Sequence, residues 1–220
     1  MEKSEYYEKY VCPTLGCVEL HPSQEAALLT LLEELPQMTR SAGKEWVERM
    51  KGKVLLPNMN GQNVKVDQLY DPTSPSTAPL RGEAMLFPKK LFCQEDILAS
   101  LRLLGLQTKP TFEGIILTAS RVQSLASESK VSEAQKLGAS LLNYLDDEGN
   151  IRDLVGGQRM KQIIVESSAP EQIESSLVTK ESISPGSELP ISSTVRDFFE
   201  SLKTISWVPV ESFRYKASNV

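Results

Sequence analysis

Residues 55–75 read LLPNMNGQNVKVDQLYDPTSP. The stretch opens on a short apolar strand, Val54-Leu55-Leu56. Asn60-Gly61 follows, a pair favoured in a type I′ hairpin turn, where both central residues need positive φ. Gln62 to Val66 alternates polar and apolar residues and reads as the returning strand. Pro72, Pro75, Pro79 and Pro88 remove the donors that a longer ladder needs, so the sheet ends there. Asn, Asp, Tyr and Lys gather in these few positions, which raises a choice between a reactive site and a structural joint. Asp71, ahead of Pro72, is placed to accept a backbone N–H two residues on, as in an Asx turn. Tyr70 is expected to bury its ring and keep its hydroxyl wet. No acid–base pair, nucleophile or phosphate cradle converges here, so Tyr70, Asp71 and Pro72 read as a joint. A partner-recognition loop is the other reading.

Outward from the hairpin, both flanks are helical. Upstream, residues 4–10 form a short tyrosine-rich helix. Ser23 reads as the N-cap of a second, because its hydroxyl can take an orphan backbone N–H. Leu28, Leu31, Leu32 and Leu35 fall on one face of it, and Pro36 is expected to stop it. A third helix runs from about Ala42 to Lys51 and buries Trp46, Val47 and Met50. Downstream, Ile97, Leu98, Leu101 and Leu104 form a stripe, with Gly105 at the left-handed position after the helix end. Thr111 caps the next helix, whose core face is Phe112, Ile115, Ile116, Ala119, Val122 and Leu125. Ser132 reads as the cap of another, with Ala134, Leu137, Leu141 and Leu145 inward and Gly149 after its end. A short loop joins these last two into an antiparallel hairpin. The fold class that results is mainly α (α+β), a helical bundle with one small antiparallel β-hairpin.

Composition narrows the function. Of 220 residues, 40% are hydrophobic and 24% charged, enough apolar surface for a core and too much for global disorder. The net charge of −5 gives no basic face and argues against nucleic acid as a partner. The N-terminus, MEKSEYYEKY, lacks the apolar run of a signal peptide. No stretch approaches the roughly 20 apolar residues of a membrane span. The three cysteines are odd in number and sparse, which fits a reducing compartment and a cytoplasmic location.

Signals for chemistry are weak. The single histidine, His21, follows Cys12 and Cys17, and with Cys93 these make four soft zinc ligands in principle. The C-x4-C-x3-H spacing is not a common zinc-finger pattern, and the reading taken is a helix-end histidine among ordinary cysteines. Gly156-Gly157 sits in no P-loop frame, and no strand leads into G-x-G-x-x-G. Asp146-Asp147-Glu148 reads as a solvated helix end. No catalytic, cofactor-binding or metal-binding residue is assigned, and the chain is read as no enzyme. The residues singled out are Asn60, Gly61, Tyr70, Asp71, Pro72 and Gly105, all structural.

Beyond Asn150, IRDLVGGQRMKQIIVE reads as a helix, or as a strand bent at Gly156-Gly157. Residues 166–190 are rich in Ser, Glu and Pro and read as a linker or long loop. Residues 191–220 then begin a second helix–strand unit. WVERMKGKVLLP at 46–57 echoes FFESLKTISWVP at 198–209, a repeat that stops where the chain stops. The division expected is 1–165, 166–190 and 191–220.

VLLPNMNGQNVKVDQLYDP, then LFPKKLFCQEDILASLRLLGLQTKPTFEGIILTASRV, then AQKLGASLLNYLD together resemble the sacsin repeat over about residues 45–146. Sacsin-type proteins are very large and chaperone-like, with repeats that each include a region similar to the Hsp90 ATPase domain. The vertebrate member adds ubiquitin-like, J and nucleotide-binding domains. This chain departs from that pattern. It has no D-x-G-x-G and no N-x-x-D-A element, and His21-Pro22 is followed by Ser23 where a J domain needs Asp. ATPase activity and J-domain stimulation are therefore not carried over. The resemblance implies a fragment or truncated relative: a non-catalytic segment of a chaperone or co-chaperone that assists protein folding. Its partners would be protein clients or Hsp70-type chaperones, with no cofactor. The alternative is a non-enzymatic adaptor or scaffold, with Ser184-Pro185 as a phosphorylation point.

Overall fold

The computed structural model describes residues 3–15, 20–156 and 193–205. Among these the chain is mainly α-helical, with one two-stranded antiparallel sheet. Helix α1 (Lys3–Tyr6) runs on through a π turn, Tyr7–Val11, and a 3-10 turn, Cys12–Leu15. Helices α2 (Pro22–Ala42) and α3 (Lys44–Lys51) meet at Gly43, which has φ +82°. Strands β1 (Leu55–Pro57) and β2 (Asn63–Lys65) pair with Leu56 opposite Val64. Short 3-10 turns carry the proline-rich segment to α4 (Glu95–Leu103). Then come α5 (Phe112–Ser127), α6 (Val131–Leu145), α7 (148–156) and α8 (Ser193–Thr204).

The helices bury their stripes in two separate clusters. The first gathers α2, α3, the hairpin and α4. Leu28, Leu31, Leu32 and Leu35 are fully buried there beside Trp46, Met50, Leu56, Leu98 and Leu101. The second gathers α5, α6, α7 and α8 around Phe112, Ile115, Val122, Leu137 and Leu141. Burying one such leucine contributes roughly 1.5–3 kcal/mol, so each stripe is a strong local determinant. Helices α5 and α6 form the expected antiparallel hairpin. From the segment read as the start of a second unit, α8 packs on α5, with Phe198 stacked on Phe112 at 4.1 Å between ring centroids. The 166–190 segment and the strand expected after α8 lie outside the described residues.

Several expected element ends are corrected. His21, not Ser23, caps α2. Its backbone is extended, Gln24 Oε1 accepts its N–H at 2.8 Å, and its Nδ1 lies 3.4 Å from the Ser23 N–H. Pro22 then takes the first helical position, where a missing N–H costs nothing. Pro36 does not stop α2. The helix continues to Ala42 and gains Met38 for the core, at the cost of the hydrogen bond that residue 36 would have given to Leu32. Asn60-Gly61 is not a two-residue type I′ turn. Gly61 alone has positive φ, Gly61 N–H reaches Asn58 O at 2.9 Å, and Asn58 N–H reaches Gln62 O at 2.9 Å. The loop is a three-residue one with Gly61 as its left-handed residue. Ser132 caps nothing, because α6 begins after Lys130 with no side-chain cap. Gly149 lies inside α7, whose first N–H groups at Gly149 and Asn150 are taken by Asp147 Oδ1.

Candidate functional site

The chain passes from the first core to the second between two adjacent residues. Leu69 is buried in the first cluster and Tyr70 in the second. Alternation of side chains along an extended backbone sends neighbours to opposite sides, and here each side is a core. The extended segment is held on both edges. Tyr70 N–H donates to Leu86 O at 2.8 Å, Gln107 N–H to Leu69 O at 2.9 Å, and Asp71 N–H to Gln107 O at 2.8 Å.

Gln107 reaches this position because of how α4 ends. Gly105, at φ +106°, donates to Arg102 O at 3.2 Å, and Leu106 N–H donates to Leu101 O at 2.9 Å. That is the Schellman pattern, and it turns the chain back alongside Leu69–Asp71.

Asp71 is 1% exposed and is fully engaged. Its Oδ1 accepts the Thr73 N–H at 2.8 Å, the expected Asx turn, and the Thr73 hydroxyl at 2.6 Å. Its Oδ2 accepts Arg102 Nε at 2.7 Å, and its carbonyl accepts the Thr77 hydroxyl at 2.6 Å. Arg102 extends the chain of contacts to Glu95 Oε1 at 2.6 Å and Thr73 Oγ1 at 3.1 Å. Burial opposes ionisation of Asp71, but the bonds from Thr73 and Arg102 outweigh it and hold the carboxyl below its ordinary value. Pro72, half-exposed, follows at the start of the turn.

Tyr70 departs from expectation. Its hydroxyl is not left to solvent but meets Thr111 Oγ1 at 2.5 Å. The same oxygen caps α5 by accepting Gly114 N–H at 3.3 Å. A Cβ on residue 114 would stand 2.5 Å from the Tyr70 hydroxyl, so glycine is needed for this approach. Burial, partly offset by Thr111, raises the Tyr70 pKa.

Of the six residues singled out in the sequence, Tyr70, Asp71, Pro72 and Gly105 belong to this joint. Asn60 and Gly61 stand at the hairpin tip. They are organised by Asn58, whose Oδ1 accepts Asn60 and Gln62 N–H at 3.0 Å each and whose Nδ2 donates to Met85 O at 3.1 Å. Sequence reasoning missed Asn58, Arg102, Thr77 and Gly114. Asn-x-Asn-Gly was a usable signal for Asn58. None marked Arg102, which lies 31 residues from its partner.

Elsewhere, His21 serves as a helix cap. Burial pushes the Cys12 thiol up to about 11, with Lys53 opposing that shift. Among the described residues no group of three or more His, Cys, Asp or Glu is placed to hold a metal ion. Among them, too, no helix is long and apolar enough to cross a membrane. A groove of about 590 Å³ lies between the N-terminal arm and α3, where Glu8 is held by Arg49 and Lys53. Comparison with family models, with curated proteins and with solved structures finds no match for this chain.

Proposed function

We propose that the chain is a non-catalytic segment of a sacsin-like chaperone or co-chaperone. Its work is spatial: it holds two helical cores in fixed relation, so that a client is presented beside the rest of the machine. The observation that carries this reading is the Leu69–Tyr70–Asp71 joint. It is built from the motif that resembles the sacsin repeat, and its polar groups are spent on one another. Both Asp71 oxygens and the Tyr70 hydroxyl have partners within the chain, as a joint requires. Unfolded clients need adaptable apolar surface. Met59 and Met85, 43% and 37% exposed, flank the Asn58 contact and supply polarizable side chains of that kind. Clients and Hsp70-type chaperones are the partners implied.

The test is light scattering from a heat-labile client during heating. The chain is expected to suppress aggregation near stoichiometric ratios, and Met59→Ser with Met85→Ser to weaken suppression with no change in Tm. No suppression by the chain, alone or joined to an ATPase-like region, rules the reading out. One stoichiometric partner that is not a chaperone, captured without any suppression, would make the chain an adaptor instead.

A further inference from the structure

We propose that Ser74 is a phosphorylation site for a proline-directed serine/threonine kinase, and that Arg81 is the receptor for the phosphate. Ser74-Pro75 carries the dipeptide that such kinases select. The backbone of Ser74 is extended, at φ −66° and ψ 130°, the shape in which a kinase groove takes its substrate. Thr73 and Pro75 on either side are exposed, and Ser74 itself is half-buried. The Ser74 hydroxyl donates to Thr108 O at 2.7 Å, which leaves its lone pairs free of any partner among the described residues.

Arg81 makes the position distinctive. It is exposed, its Nη2 lies 3.4 Å from the Ser74 carbonyl oxygen, and it forms no ion pair among the described residues. A phosphate on the same residue is within reach of that guanidinium, whose remaining N–H groups match phosphate oxygens. Asp71, the carboxylate closest to Ser74 in the sequence, is already held by Thr73 and Arg102, and Glu83 Oε1 accepts the Met85 N–H at 3.3 Å. Arg102 itself is committed to Asp71, Glu95 and Thr73.

In the transfer, the γ-phosphoryl group of ATP passes to Ser74 Oγ. The bond to the bridging oxygen of ADP breaks, the Oγ–P bond forms, and the hydroxyl proton goes to the kinase base. The modified oxygen can no longer donate to Thr108 O. The tie between the Asp71 turn and the segment leading into α5 is thereby exchanged for a charge pair with Arg81. The modification acts at the joint between the two cores and is independent of whether clients bind.

The experiment treats the full chain, in a Ser184→Ala background that removes the other Ser-Pro pair, with a proline-directed kinase and ATP. Mass spectrometry locates the phosphate, and phosphorus NMR follows its second ionisation. Phosphate is expected on Ser74, and Ser74→Ala should abolish it. The second pKa should fall below the value near 6 of a free phosphoserine and rise again by about half a unit in Arg81→Gln. Absence of phosphate at Ser74, under conditions that fully modify a peptide spanning residues 70–80, overturns the proposal. A titration that Arg81→Gln leaves unmoved overturns the receptor role.

Discussion

Asp71 is buried and yet ionised, because both carboxylate oxygens that burial takes from water are given donors in the chain. A turn cap alone contributes about 0.5–2 kcal/mol. Here Asp71→Ala also leaves the Arg102 Nε and the Thr73 N–H without their acceptor. Arg102 is 33% exposed at its side chain and regains some water, which limits the cost. Asp71→Ala is therefore expected to lower stability by about 2–3 kcal/mol. Asp71→Asn should cost less, since it keeps an acceptor for Thr73. Urea unfolding midpoints of the two variants decide this, and equal midpoints would refute the role given to the Thr73 cap. The Asx turn was legible because Asp-Pro acts on its immediate neighbours. The arginine that makes the residue a clamp comes from α4, and local sequence carries no mark of it.

At the scale of elements, the apolar stripes were legible, while of the helix ends those at Thr111 and Gly105 were legible and several others were not. The 3.6-residue spacing of Leu28, Leu31, Leu32 and Leu35 survives any error in the cap, because it records which face is buried. The ends depend on single backbone groups, and there rarer solutions won. Pro36 stays inside α2 because burial of Leu35 and Met38 on either side outweighs one lost hydrogen bond. Pro36→Ala restores that bond and is expected to raise stability by about 1–3 kcal/mol, read from the urea midpoint. The turn from α5 to α6 shows the same competition. Ser129 takes φ +63° so that Lys130 N–H can reach Leu125 O at 2.9 Å. That left-handed position suits glycine. Ser129→Gly is expected to stabilise by about 0.5–1 kcal/mol, checked by thermal unfolding.

Across the whole molecule, ion pairs shape the response to acid. The folded-state pKa of Asp71 lies below its ordinary value of 3.8. Its contribution is therefore fully present above that value and is lost as pH falls through the folded pKa. Hydrogen bonds from Lys53 and Arg49 lower Glu8, and those from Lys3 and Tyr7 lower Glu34, both from 4.5. These act in the same direction, though in more open surroundings that weaken them. Unfolding free energy should be level near neutrality and fall once pH drops below about 4.5. In Asp71→Asn the fall below about pH 4 should be shallower. Urea midpoints across a pH series test it, and an unchanged acid limb would remove Asp71 from the account.

The sequence by itself determined that the chain is mainly helical, which faces are apolar, and that a single short hairpin precedes a proline-rich turn. These follow from spacing and backbone chemistry within a few residues. Only the tertiary structure decided that the helices divide into two cores. It also decided that Leu69 and Tyr70 enter different ones, and that Asp71 is closed by Arg102 and Tyr70 by Thr111. Such contacts join residues 31 and 41 positions apart. Their partners are selected by how packed helices bring distant positions together, and short-range pattern does not encode that.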